Sequence, residues 1–158
     1  NKWSPNCKYD KGVESDSLYI NGYDNTILYT DYLLNSMIDS LEKQEAIAAV
    51  WYVSDHGQTI TATQGWHGSV CDENEYHVPL CIWYSDEYKL YNENAIKQLG
   101  NHIHTPINSD NIFYTICGMT HIELPESYAH EKWDISSYQF EVHPRKIIVA
   151  GQIRNLDE

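Results

Sequence analysis

The sequence predicts an α/β sandwich, in which amphipathic helical stretches alternate with short apolar runs that read as buried strands. Three observations carry this reading. Residues 21–43 repeat apolar side chains at helical steps, residues 46–53 and 78–84 are apolar and aromatic runs too short for helices, and each run stops at a cluster of polar, turn-forming residues.

In residues 21–43, Ile27, Leu34, Ile38 and Leu41, with Tyr23 and Met37 nearby, fall on one helical face, and Asn21 and Asp24 are the candidate N-caps. Asp31 lies beside that stripe and is expected to be a buried hydrogen-bonding group. "AIAAVWYV" and "VPLCIWY" read as strands buried on both faces, as in a parallel sheet. "NENAIKQLG" is a short helix stopped by Gly100. "NSDNIFYTICGM" is a further helix, capped by Asn108 or Ser109, with Ile112, Ile116 and Met119 on one side, and "RKIIVAGQI" is the last strand. No repeat or low-complexity tract divides the chain, so residues 1–158 are treated as one unit.

The chain's 158 residues, 42% of them hydrophobic, are enough for one globular domain. A formal charge of -13 opposes association with a phosphate backbone or an anionic membrane, which argues against a nucleic-acid partner. No apolar run approaches the roughly 20 residues that span a bilayer. The opening "NKWSPNCKYDKG" reads as a loop, and the chain is expected to be a piece of something longer. Cys7, Cys71, Cys81 and Cys117 form no C-x-x-C pair, which argues against a zinc ribbon or a thioredoxin-like site. Cys81 and Cys117 lie in apolar runs and are expected as buried thiols, whereas Cys7 and Cys71 lie in polar loops.

The chemistry concentrates in "AVWYVSDHGQTITATQGWHGS", residues 49–69. If the first apolar run is a strand, Asp55 and His56 emerge at its C-terminal edge, where α/β folds place their binding groups. Gly57 then permits a sharp turn. A carboxylate oxygen and an imidazole nitrogen both ligate zinc at about 2.0–2.2 Å. A short loop returns His67 to the same rim, where one metal or one phosphate can touch all three residues. An Asp capping a turn beside a surface histidine would leave the same tripeptide, so the wider pattern has to decide. His102 and His104, in "HIH", can present two ligands from an extended segment, though such a pair is more often solvent-exposed. Aromatics make up 13% of the chain and are expected mostly in packing. A secreted glycan-binding module would instead display them on exposed antiparallel strands, whereas here helices separate buried strands.

The ordered set "YDNTILYTDYLL", "WYVSDHGQ", "GWHG", "HVPLCIWYS" and "SDNIFYTICGM" resembles the C-terminal part of the phosphoethanolamine transferases of the alkaline phosphatase and sulfatase superfamily. "NKWSPNC" and "WDISSYQF" resemble the flanking segments, so the likeness covers nearly the whole chain. It implies an alkaline-phosphatase-like three-layer sandwich with a mostly parallel sheet, truncated on its N-terminal side. By resemblance, Asp55 and His56 are zinc ligands, and His67 lies near the transferred phosphoryl group. The resemblance further implies one or two zinc ions in the complete enzyme, a phospholipid donor, and lipid A or another surface glycan as acceptor. It also implies a periplasmic domain of an inner-membrane protein. A sulfatase or phosphatase of the same superfamily is the alternative parent.

Several features depart from the family pattern. Gln58 stands where the family often has Glu, and the loop from Asp55 to His67 is about one residue short. No cysteine follows Cys7 at the expected distance. If the parent works outside the cytoplasm, Cys71 and Cys81 are the expected disulfide pair, because the loop between them must double back. The nucleophilic threonine, an upstream glutamate and a further histidine have no match in the chain. Thr26, Thr30, Thr59 and Thr61 do not fit the nucleophile's motif. The expected reading is therefore the C-terminal half of a catalytic domain, holding half a metal shell and needing the N-terminal half of its own domain to work.

Overall fold

The computed structural model describes residues 18–61, 65–68, 72–128, 131–149 and 151–156. The described residues fall into two compact units, one ending at Ser85 and the other beginning at Asp86.

The first unit opens with helix α1, Leu18–Glu42. It begins ahead of Asn21 and Asp24, so neither is the N-cap that the sequence suggested: without a proline or a strong stop signal, the helical pattern extends backwards through "LYI". Leu34, Ile38 and Leu41 are half-buried, whereas Ile27, Tyr32 and Met37 are more than half exposed. Leu33, Met37 and Leu41 of α1, together with Val50, line an open groove of about 460 Å³. Asp31 is exposed and not buried, although it lies three residues before Leu34 and seven before Ile38 on the same side of α1, where the stripe itself is only half-buried.

Strand β1, Ala49–Val53, is followed by two short strands, β2, Thr59–Ile60, and β3, Gly65–Trp66, which form a hairpin. A single helical turn, α2, Glu73–Tyr76, leads to β4, Leu80–Tyr84. β1 and β4 pair antiparallel, with Ala49 opposite Tyr84 and Val53 opposite Leu80. Ser85 closes the open end of this ladder. Its N–H donates to Ala48 O (2.9 Å), and its hydroxyl donates to Ala46 O (2.8 Å) while accepting from Ala48 N (3.2 Å).

Among the described residues every strand pair is antiparallel. The two apolar runs are strands as expected, but their side chains are mostly half-buried and their pairing is not parallel. Apolar content reports burial and not the direction of the neighbouring strand, so this feature cannot be read from the run alone. Alternation along β4 also leaves Cys81 exposed between half-buried Leu80 and Ile82, which corrects its expected burial. Cys7 and Cys71, and with them the Cys71–Cys81 pairing, lie outside the described residues.

The second unit contains helices α3, Asp86–Tyr91, α4, Glu93–Asn101, and α5, Ser109–Met119. Single 3₁₀ turns follow at Glu126–Tyr128 and Glu131–Trp133, then a hairpin of β5, Lys146–Val149, and β6, Gln152–Asn155. The sequence suggested one strand across that hairpin. Gly151, at φ +77°, takes the left-handed conformation that lets the chain reverse.

The N-terminus of α5 is capped by Asn108, as expected, with a reciprocal bond from its N–H to Asn111 Oδ1 (2.8 Å). Asn111 is nearly inaccessible, and its amide also donates to Trp133 O (2.9 Å). One turn on, the fully buried Thr115 donates to Asn111 O (2.7 Å) and accepts from Ile135 N (3.0 Å). These polar contacts anchor the segment "WDISS" onto α5, around a core of Tyr88, Ile96, Cys117, Met119 and Ile135. Tyr88 donates its hydroxyl to Met119 O (2.6 Å), a bond worth about 1 kcal/mol net. Ile116, placed by periodicity with Ile112 and Met119, is 38% exposed: α5 turns its polar Asn111 and Thr115 inward instead.

Two consequences for stability follow. A Cβ on Gly118 would collide with Oδ2 of Asp134, and that carboxylate is pinned because its Oδ1 accepts from Ser136 N (2.8 Å) and Ser136 Oγ (2.6 Å). Gly118→Ala is therefore expected to destabilise the unit by about 1–3 kcal/mol, seen as a lowered melting temperature. Burial holds the Asp134 carboxyl above its ordinary pKa, against the opposing effect of the Ser136 bonds. A group that binds its proton more tightly when folded adds stability below the ordinary carboxylate range, and that stability is lost as pH rises through the raised value. Asp134→Asn keeps an acceptor for Ser136 and is expected to gain stability relative to the parent as pH rises from acid to neutral. Denaturant midpoints whose difference is the same on both sides of the carboxylate range would contradict this.

Candidate functional site

The S-D-H-G loop leaves the C-terminal end of β1, where the sequence placed it. Ser54 turns the chain by donating its hydroxyl to His56 O (2.7 Å), and His56 N donates to Asp55 Oδ1 (2.9 Å). His56 Nδ1 lies 2.8 Å from Gly57 O. A carbonyl carries no proton, so Nδ1 must be the donor, and the neutral ring then presents an unprotonated Nε2.

That Nε2 lies 3.7 Å from Oδ2 of Asp55, too far for a hydrogen bond. It is close to the roughly 3.4 Å edge of a tetrahedron whose two donors each lie about 2.1 Å from a central ion. A ring nitrogen tied to a backbone carbonyl is also the usual support of a ligating histidine. Asp55 and His56 are both exposed, so the donor pair opens to solvent.

His67 joins this pair from the second loop. Its ring stacks on that of His56, with centroids 4.1 Å apart and planes 24° from parallel. The β2–β3 hairpin places it there: Trp66, the residue before His67, pairs with Thr59. Among the described residues no three His, Cys, Asp or Glu side chains converge on a single metal position. The loops thus present a two-donor pair, Asp55 and His56, with His67 stacked alongside.

Turn α2 braces both loops. Asp72 caps it by accepting from Asn74 N (3.0 Å), and that backbone bond holds the Asp72 carboxyl below its ordinary pKa. Gly57 N donates to Glu75 O (2.7 Å), and a Cβ on Gly57 would run into the backbone carbonyl of Asn74. Glu75 itself is buried, with Gly68 N donating to Oε2 (2.8 Å) and Thr59 Oγ1 to Oε1 (3.3 Å). Nothing in "DENEY" distinguishes Glu75 from its exposed neighbours Glu73 and Asn74, so sequence reasoning passed it over.

In the second unit the two histidines of "HIH" have different surroundings. His102 Nδ1 donates to Ile135 O (2.9 Å) and its ring packs at a tilt on Phe140, with centroids 4.9 Å apart, while His104 is exposed. The expectation of an exposed pair therefore holds for His104 only. Thr26 and Thr30 donate to carbonyls of their own helix, and Thr59 to Glu75, so each of these hydroxyls serves the fold.

Gly57→Ala is expected to push the S-D-H-G loop off α2 because the colliding group is backbone and cannot swing aside, at a cost of about 1–3 kcal/mol. A thermal melt together with metal-binding calorimetry would check this. Unchanged values for both would show that the loop does not depend on that close approach.

Comparison with known proteins agrees with the resemblance drawn from the motifs. Residues 2–122 match the profile of the family described as Sulfatase. The Kdo(2)-lipid A phosphoethanolamine 7''-transferase of Escherichia coli is 34% identical over 91 residues, which is 55% of this chain and 16% of that protein. The phosphoethanolamine transferase EptA of Salmonella typhimurium is 30% identical over 130 residues, 77% of this chain and 24% of that protein. The chain thus spans at most about a quarter of the length of these relatives. The crystal structure of the C-terminal periplasmic domain of EcEptC from Escherichia coli superimposes with a TM-score of 0.76 at 20% identity, covering 93% of this chain and 43% of that one. No helix among the described residues is long and apolar enough to cross a membrane. With its matched region running through both the S-D-H-G and W-H-G loops, the chain belongs to the sulfatase family, and its relatives there are phosphoethanolamine transferases.

Proposed function

We propose that this chain is the C-terminal portion of the catalytic domain of a zinc-dependent phosphoethanolamine transferase, which moves phosphoethanolamine from a phospholipid to lipid A or another surface glycan. The reading places the domain in the periplasm, as part of an inner-membrane protein. The observation that carries it is the Asp55–His56 pair: Oδ2 and Nε2 stand 3.7 Å apart, and the far ring nitrogen is already committed to Gly57 O. The relatives' names support the transfer of phosphoethanolamine over the hydrolysis of a sulfate ester.

Within this reading Asp55 and His56 hold one side of the metal. What a zinc ion supplies there is a lowered pKa for an oxygen nucleophile and neutralised charge on the phosphoryl oxygens. Asp55 contributes negative charge and His56 a neutral nitrogen, and the exposure of both leaves room for substrate. His67, stacked on His56, donates a hydrogen bond to a phosphoryl oxygen as charge develops on it.

The nucleophile and the remaining ligands come from a preceding segment, which also adds the parallel strands of the three-layer sheet. The exposed apolar residues of α1, among them Ile27, Leu28 and Met37, accord with a larger core. Separated from that segment the chain binds zinc weakly, because two donors make an incomplete shell. It also lacks the positioned nucleophile that can supply about 7–11 kcal/mol of a transfer barrier.

In the full-length enzyme, Asp55→Ala and His56→Ala are each expected to lower zinc occupancy and phosphoethanolamine transfer. The loss should exceed the roughly 10- to 100-fold that outer-shell changes cost. A chelator is expected to abolish transfer and added zinc to restore it. Full zinc content and transfer in both variants would overturn the metal assignment. Metal-dependent turnover by residues 1–158 alone would place a nucleophile within them.

A further inference from the structure

We infer that Glu75 is a positioning residue for the phosphoryl-transfer site, holding His67 against His56; this inference rests on the function proposed above. Glu75 reaches the residue that follows each histidine. Its backbone carbonyl accepts from Gly57 N (2.7 Å), next to His56, and its carboxylate accepts from Gly68 N (2.8 Å), next to His67. The other carboxylate oxygen takes the Thr59 hydroxyl (3.3 Å), and Thr59 is the β2 partner of Trp66, which precedes His67. His67 is therefore fixed on both flanks, by the Thr59–Trp66 rung and by the Gly68–Glu75 bond.

Glu75 is only 7% exposed, so its carboxylate is far more costly to bury than the apolar side chain that would fill the same space. Its two acceptor oxygens match two donors, one on β2 and one two residues past the end of β3, and this bridging is what an apolar residue cannot provide. Gly68, whose N–H makes one of these bonds, has φ +73°, a left-handed conformation that favours glycine. The histidine rings stacked 4.1 Å apart are the outcome of this bracing.

The test is a double-mutant cycle in the full-length enzyme, with zinc content and kcat and KM for a phosphatidylethanolamine donor measured for each protein. Glu75→Ala is expected to lower kcat roughly 10- to 100-fold with little change in KM. In a His67→Ala background it should add little further loss, because the residue it positions is already gone. Glu75→Gln, which keeps an oxygen for Gly68 N–H and an amide for Thr59, should recover most of the activity. Losses from Glu75→Ala and His67→Ala that simply multiply, or a Glu75→Gln variant as impaired as Glu75→Ala, would overturn the inference. If His67→Ala and Asp55→Ala both leave transfer intact, the functional reading itself fails instead.

Discussion

A carboxylate removed from water must be surrounded by donors, and in the first unit that constraint organises everything around the two histidines. Glu75 satisfies it with the Thr59 hydroxyl, on β2, and Gly68 N–H, two residues past the end of β3. The hairpin has only two paired positions and would have little stability by itself. Tied to α2 through this group, it becomes a rigid support for His67. The same turn receives Gly57 through the Glu75 carbonyl, so one four-residue helix sets the spacing of two loops whose histidines are eleven residues apart. Both glycines follow from this close packing: Gly57 because the Asn74 carbonyl occupies the space of a side chain, and Gly68 because of its left-handed φ.

The loops inherit their direction from the β1–β4 ladder, which the Ser85 clasp closes at the end remote from the site. Asp55 and His56 therefore leave a backbone that is paired over five residues, with Val53 opposite Leu80 at the site's edge. This suits a metal-binding pair: donor atoms on a loop keep their separation only when the strand beneath them is fixed, and the His56 Nδ1 bond to Gly57 O removes the remaining freedom of the ring.

Much of this was legible in the sequence. The helices α1, α4 and α5 were legible from their periodicity and caps, although α4 runs through Gly100 to Asn101 instead of stopping at the glycine, and the S-D-H-G loop lies where an apolar strand meets a turn signal. Asn108 as the cap of α5 could be read, yet the inward-facing roles of Asn111 and Thr115 could not, because their partners, Trp133 and Ile135, are some twenty residues away. Strand direction was invisible for the same reason, since it depends on which run pairs with which. The β5–β6 hairpin was passed over although Gly151 signalled it, because the apolar residues on either side made the run look continuous. Glu75 was the least legible of all. An acidic residue in an acidic run reads as solvated until the fold shows which oxygen faces a backbone N–H.

The stacking of His56 on His67 bears on how the site divides its work. His56 and Asp55 present a donor pair, whereas His67 lies beside the ring instead of joining a common centre, so in the proposed reading it remains available to a substrate oxygen. Yet the rings touch, and the loops that carry them share α2 as support, so neither can shift far without moving the other. Residues coupled in this way give non-additive effects on substitution, and the loss measured for any one of them includes disturbance of its neighbour. On the proposed reading, the donor pair and the phosphoryl contact would form one mechanical assembly. The stiffness of the two loops comes from hydrogen bonds to backbone N–H groups, which would not rearrange if charge developed there, and in the proposed function such fixed polarity would favour a transition state over a bound substrate.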